Sequence, residues 1–413
     1  MLSAHTCPLA VLGGWETGGM NVYVREVSRE LGRRGVNVDV FTRRQDPSTP
    51  RIVEMGPGAR VIHLEAGPIR HLDKYEALEY LSEFACNMQR SRALEGLTYD
   101  LIHSHYWLSG RLAAIFKERW SAPVVAMFHT LARAKARSPL PAAEREDPIR
   151  EEIELRTMAI ADRVIASTPA DRDHMVRYYG AARGSISVVP CGVDIDLFRP
   201  RPRAAARRQL GLGDERVLLF VGRLQQLKGV DLLLRAAAEL ARDGAPLTVL
   251  IGGGIPRFAD GRPSPESQEM ERLMALCATL GLGDRVRFVG AIDQSTLPTY
   301  YSAADVTVVP SWYESFGLVA LESMACGTPV VAARVGGLVS LVRDGETGHL
   351  VAWRDPRLYA ERIREVCEPA ARRAMGSAAR ALAQRYSWGA IADQLLDVYG
   401  GVLRGAASAG ARR

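Results

Sequence analysis

The chain has 413 residues, 47% of them hydrophobic and 24% charged, with a formal net charge of +6; cores stop growing well below that length, so two domains of about 200 residues facing across a cleft are expected. The composition is that of a folded protein outside the tail AASAGARR, and basic residues dispersed along the chain rather than clustered argue against polynucleotide binding. Apolar runs such as VLLFVG (217–222) fall far short of the roughly 20 residues that span a bilayer, and MLSAHTCPLA has no basic segment followed by an apolar stretch, so a cytoplasmic location without a transmembrane segment is expected.

In chain order, short β-rich runs alternate with helical patterns, the signature of parallel sheets built from βαβ units. The chain opens close to a first strand, which TGGMN (17–21) joins to a helix over 21–35 that Gly35 ends. Strands are predicted at 36–42, 60–64, 100–105, 123–130, 163–168 and 185–190, and the segment 131–147 yields no reading. Turn residues and prolines in CGVDIDLFRPRPR (191–203) break both periodicities and mark a hinge. The second half repeats the pattern at 216–223, 247–254, 285–290, 306–311 and 329–337, then ends in helical segments near 356–405 with Trp388 as the anchor of the last. The fold class expected is α/β, two Rossmann-like parallel-sheet domains whose strand carboxyl ends share a crevice.

Cys7, Cys86, Cys191, Cys277, Cys326 and Cys367 show no C-x-x-C pair or His-Cys spacing, which argues against zinc and against a disulfide framework. Positive charge is nearly all arginine, with lysine only at 74, 117, 135 and 228; Lys74 and Lys228 sit in loops where no helix face accounts for them. Paired glycines in TGGMN let backbone N–H groups approach an anion at a helix start, although a tight turn alone would also need them. In VGRLQQLKG (221–229), Arg223 and Lys228 follow a strand end, where two cations neutralise a diphosphate or are simply solvated. In YESFGLVALE, helix-start amides at Phe316, Gly317, Leu318 and Val319 face phosphate oxygens, Glu322 reaches a ribose diol, and Glu314 either binds sugar hydroxyls or caps the helix. Of the histidines, one of His103 and His105 is expected to pack inward.

The E-x7-E pair, the GR-x4-K loop and the early GGMN together resemble glycosyltransferase family 4, with its GT-B fold, over essentially the whole chain. Within it, SAHTCPLA, GGMNVYVRE, DKY, HSHYWLSG and FHT most resemble members that use an inositol phosphate acceptor. The resemblance implies a retaining hexosyltransferase moving N-acetylglucosamine from a UDP-sugar to 1D-myo-inositol 3-phosphate. It implies an acceptor-binding domain at 1–195, a nucleotide-sugar-binding domain at 196–385 and a terminal helix at 386–413 crossing back to the first. Arg223 and Lys228 would hold the donor diphosphate, Glu322 the ribose and Glu314 the transferred sugar, with Gly19 and residues 316–319 completing the donor site. His5, Gly18, Gly19, Met20, Asn21, Lys74, Tyr106, Thr130 and Arg150 match acceptor-binding positions, and His129 lies beside the reacting carbon. Lys74, Arg150, Tyr106 and Thr130 supply two charges and two hydroxyls suited to a phosphate. With no D-x-D signature and two cations at the diphosphate, no cofactor or essential metal is expected. Small-molecule substrates are the expected partners, and a homodimer is left open. Alternatives are glucose transfer to fructose 6-phosphate as in sucrose-phosphate synthases, transfer to a lipid-linked acceptor, and a nucleotide-sugar sensor without turnover.

Overall fold

The computed structural model describes residues 1–10, 17–138, 146–254 and 264–410. In the first half the strands are β1 Val38–Arg43, β2 Ile52–Gly56, β3 Ala59–Leu64, β4 Ile102–His105, β5 Val124–Met127, β6 Arg163–Ala166 and β7 Ile186–Val188. They run in the orders β1, β3, β2 and β4, β5, β6, β7, all parallel except β2 against β3. Leu2 joins the two groups by bridging Phe41 of β1 on one side and Ser104 of β4 on the other. The expected first strand is thus only a short stub, with Leu2 N–H donating to His103 O at 2.8 Å and Ser3 N–H to Phe41 O at 3.0 Å. Counting that stub first, strand order reverses between it and β4, and ligands of such open sheets bind where the order reverses.

The second half carries β8 Arg216–Val221, β9 Leu247–Gly252, β10 Val286–Gly290, β11 Val306–Val309, β12 Val330–Ala333 and β13 Gly348–Val351. These form one parallel sheet in the order β10, β9, β8, β11, β12, β13, which reverses between β8 and β11. Every residue of β9 is buried, as expected of LTVLIG in a sheet covered on both faces.

The chain crosses between halves twice at neighbouring points. Val193 pairs with Ser387, its N–H donating to Tyr386 O at 2.8 Å, and a Cβ on Gly192 would lie 2.6 Å from the Trp388 ring. The last helix, Trp388–Gly410, then returns onto the first, Gly19–Arg33: Trp388 and Tyr23 rings are 5.7 Å apart, and Arg34 Nε donates to Asp393 at 2.7 Å. Trp388 is indeed the anchor of that helix.

Several expectations need correction. The first helix begins at Gly19, with Gly18 at its cap, so Gly19 and Met20 lie inside its first turn and not in the loop before a helix starting at Asn21. The strand expected at 123–130 stops at Met127 because His129 adopts φ +60°, a conformation no strand accommodates. Sequence patterning missed β2, an edge strand in which only Met55 is buried, and β13, whose GHLV is short and follows a turn.

Candidate active site

In the second half the site is built where β8 and β11 diverge. Lys228 ends the short turn Gln226–Lys228, and the next residue, Gly229, sits at φ +69° with its position for a Cβ 2.2 Å from Pro310 O. Only glycine permits that approach, which seats the Lys228 loop on the loop after β11, where Trp312 N–H donates to Leu227 O at 2.8 Å. Lys228 Nζ thereby reaches Glu314 Oε2 at 2.7 Å, with both side chains largely buried. Glu314 is fixed from behind by Gly337, whose N–H donates to its carbonyl at 2.9 Å.

Gly317, at φ +104°, caps the helix Leu318–Ala325, so Glu314 is not the helix cap and Phe316 precedes the first helical turn; the amides opening the helix are those of Leu318 and Val319. Glu322 lies deeper in this helix and accepts from Tyr301 Oη at 2.8 Å. Burial pushes its carboxyl up to about 7, and the Tyr301 hydroxyl draws it partly back. Arg223 follows β8, where its charge offsets the burial that raises the Glu266 carboxyl. Glu266 was not singled out from the sequence.

In the first half the site gathers at the reversal beside Leu2. Arg150, in the helix Pro148–Ile160 and 1% exposed, is the hub. Its guanidinium donates to Glu154 Oε1 at 2.7 Å, Tyr106 Oη at 3.1 Å, and both Thr130 O and Thr130 Oγ1 at 2.9 Å. Burial opposes the charge, but Tyr106, Glu154 and Glu146 hold the group more firmly protonated than usual. Lys74 opens the helix Lys74–Glu79, capped by Asp73, and its Nζ meets Glu146 Oε2 at 2.6 Å. Lys74 is therefore explained by a helix start, against the loop expected. The four residues thus meet in one network, from two helix starts (Lys74, Tyr106), a helix (Arg150) and the loop after β5 (Thr130).

His5 stacks on Tyr106 at 4.5 Å, and its ring is held to about 3 by burial, then by the charges of Lys74 and Arg150. Asn21 is committed to the protein: its Nδ2 donates to Thr6 Oγ1 and Cys7 O, both at 2.7 Å, while its Oδ1 accepts from Gly18 N–H at 2.9 Å. Tyr106, at φ +74°, and His129 both hold a left-handed backbone that costs of order 1–3 kcal/mol each in non-glycine residues and clusters at functional sites. Thr130 N–H donates to Phe128 O at 2.7 Å, closing a three-residue turn that projects His129. Burial keeps the His129 ring neutral, down to about 3, and its Nε2 lies 3.1 Å from His105 Nδ1. His103 and His105 are both buried, so two pack inward where one was expected, and His103 Nδ1 meets Tyr399 Oη of the last helix at 2.6 Å.

The two halves of the site touch. A Cβ on Gly19 would lie 2.7 Å from Leu318 Cδ1, which puts the GGMN segment against the helix start of the opposite domain. Met20 is partly buried in the same core.

Sequence reasoning missed Lys135, Glu146 and Glu154. Glu146 Oε1 accepts from Lys135 Nζ and from Arg150, each at 3.0 Å, and its Oε2 also accepts from Tyr75 Oη at 2.8 Å. A signal existed for Glu154, which lies four residues after Arg150 on the same helical face; Glu146 lies four residues before Arg150 but ahead of the helix.

Residues 17–197 match the Glycosyltransferase Family 4 model and residues 202–382 the model for Glycosyl transferases group 1. A D-inositol 3-phosphate glycosyltransferase of Geodermatophilus obscurus is 46% identical over 402 residues, 96% of this chain and 88% of that protein. One of Streptosporangium roseum is 44% identical over 410 residues, covering 97% of this chain and 92% of that protein. Among solved structures, sucrose-phosphate synthase from Thermosynechococcus elongatus superposes with a TM-score of 0.90 at 37% identity, covering 98% of both chains.

Proposed function

This chain belongs to glycosyltransferase family 4, and we propose that it transfers a hexosyl group, N-acetylglucosaminyl, from a UDP-sugar to 1D-myo-inositol 3-phosphate with retention at the anomeric carbon. The observation that carries this reading is the convergence of Lys74, Tyr106, Thr130 and Arg150 into one network in the first half of the chain, with the Lys228 and Glu314 pair in the second half. Two cations and two hydroxyls suit a phosphate, and the curated relatives are named for a phosphorylated inositol.

In this reading Arg223, Lys228 and the amides of Leu318 and Val319 stabilise the negative charge that builds on the departing diphosphate, while Glu322 binds the ribose. Glu314, paired with Lys228, binds the hexose hydroxyls. Paired-carboxylate glycosidases that retain configuration set a nucleophile about 5–5.5 Å from an acid; here Glu314 is engaged by a cation and Glu322 is buried against Tyr301. The acceptor hydroxyl therefore attacks on the face that the diphosphate leaves. A new C–O bond forms as the sugar–phosphate C–O bond breaks, and the proton passes to the departing phosphate oxygen. Neutral His129 stands beside the reacting carbon. With the protein's own cations facing the diphosphate, turnover requires no divalent ion.

The 37% identity to a sucrose-phosphate synthase favours fructose 6-phosphate as the second reading, since that acceptor also carries a phosphate. A panel of UDP- and GDP-sugars against inositol 3-phosphate and fructose 6-phosphate separates them. Fastest transfer to inositol 3-phosphate is expected, and transfer to fructose 6-phosphate alone would overturn the assignment.

A further inference from the structure

We propose that Glu146 is an internal occupant of the acceptor-phosphate pocket, displaced when the phosphate enters, and that Lys135 is the third cation of that pocket; this rests on the phosphorylated-acceptor reading above. Three cations from three elements, Lys74, Lys135 and Arg150, converge on the Glu146 carboxylate at 2.6, 3.0 and 3.0 Å. Tyr75 donates to it as well, at 2.8 Å. The carboxylate is 8% exposed, and so many donors around one small anion form the kind of cage a phosphate fills.

Charge balance supports an exchange of anions. Among the described residues, Lys74, Lys135 and Arg150 face Glu146 and Glu154, which leaves one net positive charge; with Glu146 turned away two remain, matching a phosphate that carries about −1.5 to −2 at neutral pH. The geometry also permits the exchange. Asp147 caps the helix Pro148–Ile160, so Glu146 lies outside it and can turn away without breaking a helical hydrogen bond. Glu154, Thr130 and Tyr106 keep Arg150 in place meanwhile. An acceptor without a phosphate cannot compensate the displaced carboxylate, which makes Glu146 a device for rejecting unphosphorylated analogues.

Calorimetric titration of inorganic phosphate into the parent, Glu146→Gln and Lys135→Met tests this, alongside KM for inositol 3-phosphate and free inositol. Glu146→Gln should bind phosphate ~10-fold tighter or more and narrow the preference for the phosphorylated acceptor, and Lys135→Met should bind phosphate ~10-fold more weakly or worse. Phosphate binding no tighter in Glu146→Gln, or unchanged in Lys135→Met, would overturn the proposal. A parent that binds phosphate but uses both inositols equally well would sink the acceptor reading instead, and the variants' phosphate affinities would still judge the pocket.

Discussion

Replacing Arg150 by Met asks how strongly the acceptor pocket is tied to the stability of the first half of the chain. The guanidinium is 1% exposed and Glu154 is fully buried at 0%, with 2.7 Å between Arg150 Nε and Glu154 Oε1. Removing the cation strands a buried carboxylate that, among the described residues, keeps only the Tyr179 hydroxyl and the Ala132 N–H. Breaking a buried pair from one side costs about 3–5 kcal/mol. In a folding unit of roughly 200 residues each kcal/mol lowers Tm by about 2–4 °C, so the transition of the first half should fall by ~6–20 °C. Glu154→Gln in the same chain removes the stranded charge, and the double variant should recover a large part of that loss. Thermal unfolding of the four proteins of the cycle measures the coupling. If Arg150→Met lowers Tm by less than about 2 °C, or if the two changes simply add, the buried pair does not hold the pocket and the reasoning is refuted.

Lys228→Ala and Arg223→Ala should each slow transfer by roughly 10²–10³, the loss expected when one preorganised charge is removed, and turnover within threefold of the parent would refute their place at the diphosphate. Activity should persist in excess EDTA; complete loss restored by magnesium would overturn metal-independent transfer. Lys74→Ala removes a group that, unlike Arg150, has no fully buried partner, and should lower kcat/KM for the phosphorylated acceptor about 10- to 150-fold, with KM for the donor unmoved. His5 and His129 are held to about 3, chiefly by burial, against 6.5 when free. A base with a lowered folded pKa leaves the unfolded state binding more protons, so stability falls as pH drops from 6.5 towards 3, by up to ~1.4 kcal/mol per pH unit for each ring. Melting at pH 5.0 should therefore lie well below melting at pH 7.5, and equal midpoints would contradict neutral buried rings.

The parallel sheets were legible because β8, β9 and β11 are mostly apolar runs bounded by turn residues. The strand order was not, since pairing between distant segments leaves no local mark, and β2 failed to register because a half-buried edge strand with one buried residue shows no apolar alternation. The individual residues of the site could be picked out by chemistry: Lys228 and Glu314 stood out as a cation after a strand and a carboxylate before a helix. Their salt bridge depends on Gly229 seating one loop on another, a tertiary contact that spacing does not record. Glu146 went unseen for a plainer reason. Its four-residue spacing from Arg150 is visible, but the segment before the helix carries no periodicity that would have drawn attention to it.

The return of the last helix sets an order of assembly. Trp388, Ile391, Leu395, Tyr399 and Val402 are all buried, and they lie with Tyr23, Val27 and Leu31 of the first helix in one core. The helix Gly19–Arg33 thus lacks a wall of its core until the later helix Trp388–Gly410 has been made. About 370 residues separate the starts of the two helices, which at about 5–20 residues per second is roughly 20–75 s of waiting. Through that interval the apolar face of the first helix has no native cover, while the second domain, whose sheet closes within residues 216–351, can finish ahead of the one that precedes it.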